Sequence, residues 1–104
     1  MQTLSTSLTA DVGARSQKLA LSSGTIASSL FTTPGGCPAT VVITPNADCF
    51  FRFTAGSTAS TALADGTDAI LLGGNSYRVM IPGTGKLSFI TSGGTGYVYL
   101  TPEF

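Results

Sequence analysis

Histidine and tryptophan are absent from this 104-residue chain, and charged side chains amount to only 10% of it. Without histidine the chain lacks the side chain that titrates nearest neutral pH, the usual general base and the commonest metal ligand. Five Lys and Arg offset five Asp and Glu, so no net field draws nucleic acid or an anionic membrane. Two cysteines, Cys37 and Cys49, are too few for a disulfide framework. No run approaches the ~20 apolar residues of a membrane-spanning helix. Residues 1–10 carry no Lys or Arg and no continuous apolar stretch, so they do not read as a signal peptide. Neither Asn46 nor Asn75 opens an Asn-x-Ser/Thr acceptor. These absences weigh against catalysis, against any cofactor or metal, and for folding in a reducing cytosol.

What is present points elsewhere. Hydrophobic residues reach 42%, mean hydropathy is +0.35, and there are 16 threonines, 12 serines and 13 glycines. Disordered chains show the reverse balance, with little apolar content and much charge. A surface of Thr, Ser, Gly and Ala with almost no charge has little to prevent association, and reads as a surface that meets other protein.

From about residue 17 onward the pattern alternates with a period of two. Leu19 and Leu21 share one face, as do Cys49, Phe51 and Phe53, with Phe50 and Arg52 on the other. Tyr77, Val79 and Ile81 alternate with Arg78 and Met80, and Leu87 pairs in phase with Phe89. Gly and Pro punctuate these runs at 34–36, 45–48, 73–75, 82–85 and 92–96. About eight short strands at such intervals predict an all-β domain over 17–104, a β-sandwich or jelly-roll-like barrel. The runs 40–44 and 49–54 read as one hairpin around Pro45-Asn46-Ala47-Asp48. Residues 82–85 and 93–96 read as further hairpin turns, and 55–67 as a long loop holding at most one helical turn, at 58–63. In that hairpin register Cys37 stands more than about 20 Å along the ladder from Cys49, beyond the ~7 Å limit of a disulfide. Two free thiols are expected, with Cys49 in the core.

Residues 1–16 differ from the rest. Leu4, Leu8 and Val12 recur every fourth position among Thr, Ser and Gly, ahead of Arg15. Poor helix formers surround them, so this segment reads as an extended arm reaching a neighbouring subunit. Tyr97 and Tyr99 share one strand face and form a second candidate contact, because tyrosine is enriched at interfaces.

Motifs of other chemistries fall short. In Pro82-Gly83-Thr84-Gly85-Lys86 the P-loop's first glycine is replaced by Met80 and its final hydroxyl by Leu87. Gly93-Gly94-Thr95-Gly96 leads into a strand rather than a helix, unlike a dinucleotide site. Asp65 and Asp68 alone do not supply the six to eight oxygens of a calcium site and read as a solvated turn. Phe50, Phe51 and Phe53 around Arg52 lack the basic groove of a single-strand reader.

The run Thr-Val-Val-Ile-Thr-Pro-Asn-Ala-Asp-Cys-Phe at 40–50, followed by Phe53, resembles small virion proteins of tailed bacteriophages. The runs at 74–83 and 91–100 are similar to the same group, and the likeness spans about residues 38–101. That resemblance implies a single β-sandwich or barrel with a structural role on the particle and no catalytic residue. The role it implies is a head decoration, or cement, protein bound to the major capsid protein on the virion surface. Symmetry on such a lattice favours a homotrimer, with no nucleic-acid or membrane partner. The alternative is another virion component, in tail or neck, or a head-surface adhesin that binds host glycan.

Overall fold

Every second residue of each run turns to the same side, and in the computed structural model those sides close on one another. The structure describes residues 16–59 and 61–104. It holds eight strands: β1 (Gln17–Leu21), β2 (Ile26–Ala27), β3 (Ala39–Pro45), β4 (Cys49–Ala55), β5 (Ala69–Leu71), β6 (Tyr77–Ile81), β7 (Gly85–Ile90) and β8 (Gly96–Pro102). A single 3-10 turn at Pro34–Gly36 is the only helical element among the described residues, and none falls at 58–59 or 61–63. The strands form two antiparallel four-stranded sheets, ordered β1-β8-β3-β6 and β2-β7-β4-β5.

Six of the seven connections cross from one sheet to the other; β4 to β5 is the one that stays. The pairings β1–β8, β2–β7, β3–β6 and β4–β5 describe one long ribbon folded at the β4–β5 loop. Ala39 faces Ile81 and Cys49 faces Leu71, so two of these pairings share one centre of symmetry within that loop. Rolling the ribbon brings β8 against β3 and β7 against β4. An eight-stranded ribbon rolled into two sheets is a jelly roll.

The hairpin expected at 40–54 is therefore not formed. β3 spends its ladder bonds on β6 and β8, and β4 on β5 and β7. The three residues between them arch across the core. Asn46 Oδ1 accepts the Tyr97 amide at 2.7 Å, Asp48 Oδ1 accepts the Gly73 amide at 2.8 Å, and Gly73 and Gly96 both lie against Ala47. No described non-glycine residue there has the positive φ of a two-residue hairpin turn. The links at 82–84 and 91–95 also cross between sheets, and Gly93 and Gly94 do not have positive φ. Facing strands and paired strands present the same alternation, so the pattern alone does not tell them apart.

The faces themselves fall as the alternation predicts. Val41, Ile43, Ile81, Val98 and Leu100 of the first sheet meet Cys49, Leu71, Leu87 and Phe89 of the second. Leu19, Phe51, Phe53, Tyr77 and Val79 flank them.

Both thiols are free, Cys37 exposed and Cys49 buried. The ladder argument for their separation falls with the hairpin. Burial, reinforced by the adjacent Asp48 carboxylate, pushes the Cys49 thiol up to about 11 from 9.0. A native chain is thus expected to react with a thiol reagent at one cysteine, Cys37, and at the second only on unfolding. Because the folded state holds the Cys49 proton more tightly, its contribution to stability is full below pH 9.0 and fades as pH rises through about 11. Labelling of both thiols in the folded chain would contradict this placement.

Candidate interaction face

The two sheets present very different outer surfaces. In the second sheet Ser88 alternates with Leu87 and Phe89, so it points away from the core, yet it is fully buried. The β4–β5 loop is anchored over this side of the sheet. Arg52, opposite Ser88 on β4, donates through Nε and Nη2 to Asp68 Oδ1 at 2.8 and 2.7 Å. Asp68 Oδ2 accepts the Leu63 amide, at 2.6 Å, so one carboxylate pins both ends of the loop's return. At the far edge Thr25 Oγ1 donates to the Ala62 carbonyl at 3.3 Å, and Ala62 is buried. The loop thus runs as a strap from β4 to the start of β2.

Within the strap Asp65 accepts from the Thr67 hydroxyl at 2.6 Å and the Thr67 amide at 3.0 Å. These bonds, the hydroxyl's first, hold the Asp65 carboxyl below its ordinary value. Asp65 and Asp68 serve separate partners, and no group of three potential metal ligands occurs among the described residues.

The first sheet carries no such cover among the described residues. Lys18 and Ala20 of β1, Tyr97, Tyr99 and Thr101 of β8, Thr40, Val42 and Thr44 of β3, and Arg78 and Met80 of β6 make up its outer face. Cross-strand partners set the rows. Lys18 and Thr44 flank Tyr99, Ala20 stands beside Tyr97, Val42 lies between Thr101 and Arg78, and Thr40 opposes Met80. Met80 is 68% exposed, Tyr97 42% and Tyr99 40%.

The polar groups of this face are held in place. Lys18 Nζ sits 4.2 Å from the Tyr97 ring centre and 5.8 Å from that of Tyr99, within cation–π range of both. Arg78 donates through Nε and Nη2 to Glu103 Oε1 at 3.2 and 2.7 Å. Thr44 and Ser76 hydroxyls are 3.0 Å apart. Two tyrosines with a fixed cation make a rigid, amphipathic surface that loses little side-chain entropy on contact.

Of the residues singled out from sequence, Tyr97 and Tyr99 lie together at this face, while Leu4, Leu8, Val12 and Arg15 lie outside the described residues. Lys18 was not singled out. Its place opposite Leu19 and Leu21 marks it as outward, but only the β1–β8 pairing sets it over the tyrosines. The described residues define an eight-stranded jelly roll with a loop strapped across one face and an aromatic, uncovered surface on the other. No protein-family model, curated protein or solved structure matches the chain.

Proposed function

We propose that this chain is a head decoration (cement) protein of a tailed bacteriophage. It docks on the major capsid protein, at the virion surface, through the open face of the first sheet, and it is assembled in the bacterial cytoplasm. The observation that carries this reading is the asymmetry of the two sheets. The chain's own loop is tied across one outer face and buries Ser88, leaving Ile70 exposed at its β5 edge, whereas no described segment crosses the other, where Tyr97, Tyr99 and Met80 are exposed. The chain's low charge and hydroxyl-rich composition, and its likeness to small virion proteins, support the same role.

Size argues for several copies acting together. Four strands about 4.8 Å apart and five residues at about 3.3 Å each give a face of roughly 300 Å² in plan. Even doubled for side-chain relief, that is below the ~800 Å² per partner of a stable interface. A homotrimer that engages three such faces at once gains avidity without new contacts, and a threefold lattice site accommodates it.

A glycan-binding adhesin is the other virion role these tyrosines raise. The Lys18 ammonium over Tyr97 disfavours it, because it lies where a sugar ring would stack. The test is co-sedimentation of purified protein with heads of the phage whose genome encodes it. Wild type is expected to pellet with heads. The double variant Tyr97→Ala, Tyr99→Ala should bind at least about 10-fold more weakly with its melting temperature little changed, as loss of interface anchors gives. Equal binding by the variant removes this face from the role. Binding to host cells or glycan with no binding to heads replaces the decoration reading with the adhesin.

A further inference from the structure

At one end of the sandwich a groove of about 700 Å³ opens between the start of β1, the β2–β3 connection and the C-terminus. Its volume falls within the 300–1,000 Å³ typical of ligand sites. Ser16 and Gln17 form one wall, Leu30 and Pro34 lie across from them, and Pro102 and Phe104 complete it. Phe31 is buried beneath, edge-on to Phe104 with ring centres 6.4 Å apart. Leu30 remains 41% exposed at the rim. None of the described lining side chains is charged.

Ser16 places the chain's entry to the fold at this groove. Ser16 Oγ lies 3.1 Å from Thr101 Oγ1, and Gln17 Oε1 accepts the Ser29 amide at 2.8 Å. Gln17 pairs with Leu100, so the β1–β8 ladder continued upstream would set residue 15 against Pro102. Proline has no N–H to donate, so such a pair would lack one of its two ladder bonds. The chain preceding Ser16 therefore joins the fold at the groove's own wall.

We propose that the groove is the docking site of the chain's own N-terminal segment, residues 3–12, with Val12 and Leu8 as its apolar anchors. The chemistry of the two matches. Apart from Asp11, residues 3–12 carry no charge and consist of Thr, Ser, Ala, Val and two leucines, and the described groove lining offers hydroxyl and apolar groups. Reach is sufficient: Val12 lies within about 13 Å of Ser16 even when the chain is fully extended. A tether this short sets a local concentration in the millimolar range, so modest apolar contact suffices. This docking does not depend on the decoration role; a phage shell need not be present.

The exposed thiol of Cys37 lies 3.8 Å from the Gly35 carbonyl at the groove wall and provides the probe. The full chain carrying Leu8→Cys is treated with a short bis-maleimide, and the products are resolved by denaturing electrophoresis and peptide mass spectrometry. An intrachain 8–37 crosslink is expected, formed at least about fivefold more slowly when Leu30→Asp or Val12→Asp is added. Leu30 is exposed at the rim, and Val12 precedes the first strand. Agreement of the two variants thus separates loss of docking from loss of the fold. A crosslinking rate unchanged by both would show a segment that only diffuses past the groove, and would overturn the proposal. A concentration-dependent interchain product would also overturn it, by making a second copy's segment the occupant.

Discussion

Replacing Phe89 by alanine is expected to lower the unfolding free energy by about 3–5 kcal/mol, the range for removing a buried phenylalanine. Phe89 has no exposed surface and is the largest of the fully buried side chains. It lies in the middle of the second sheet, with Ile26 on one side and Phe51 on the other. The Phe51 ring stacks beside it at 6.3 Å with 23° between planes. Such pairs contribute about 0.5–1.5 kcal/mol beyond the area they bury. Neighbours on three strands are fixed by ladder bonds, so the space left does not collapse, and the cost falls toward the upper end of the range. A domain of this size has about 5–15 kcal/mol in total, and each kcal/mol moves its melting temperature by roughly 4–8 °C. A fall of at least about 12 °C is the expected calorimetric result. Phe50→Ala is the control, since Phe50 points to the outer side of the same strand as Phe51. Its loss should be less than half as large. Equal losses at the two positions would mean that the inward and outward faces of the second sheet are assigned wrongly.

That pair of residues shows how far local pattern carries. Alternation alone separates Phe51 from Phe50, Tyr77 from Arg78, and Leu19 from Lys18, because a strand's side chains must point to opposite faces. The core follows from it, and so do the eight strands once glycine and proline mark the breaks. Pairing does not follow. A three-residue link such as 46–48 serves a hairpin or an arch between sheets, and both leave apolar residues at the same positions. The arch is settled by distant partners: Asn46 with Tyr97, Asp48 with Gly73, Ala47 between two glycines. The same distance in sequence hides most of the candidate site. Tyr97 and Tyr99 are recognisable as one face of one strand. Their exposure depends on where the 56–68 loop goes, and that is set by Arg52 reaching Asp68 and by Thr25 reaching Ala62.

Glycine is where local reading and packing part most sharply, and Gly85→Ala is expected to cost about 3 kcal/mol, the upper end of the usual range for overpacking. In sequence, the glycines at 83–85 and at 93–96 look like interchangeable turn formers. Gly85 instead opens β7, with Ala55 of β4 on one side. On the other it is bound to Phe31 by two backbone hydrogen bonds of 2.8 and 3.0 Å. Its φ is not positive, so conformational freedom is not what the position requires. A Cβ there runs into the Phe53 ring and the Thr54 carbonyl oxygen. The ring can swing aside. The carbonyl belongs to the β4 backbone, held in register by the pairing of Thr54 with Lys86, and relief requires the two strands to separate. Gly94→Ala provides the contrast: nothing lies within 4 Å of its Cβ position and its φ is not positive. There, the reduced entropy of the unfolded chain should leave stability unchanged or raise it by about 0.4–1 kcal/mol. Urea unfolding of both variants gives the comparison. Similar midpoints for the two would show that β7 does not approach β4 as closely at Gly85 as this packing requires.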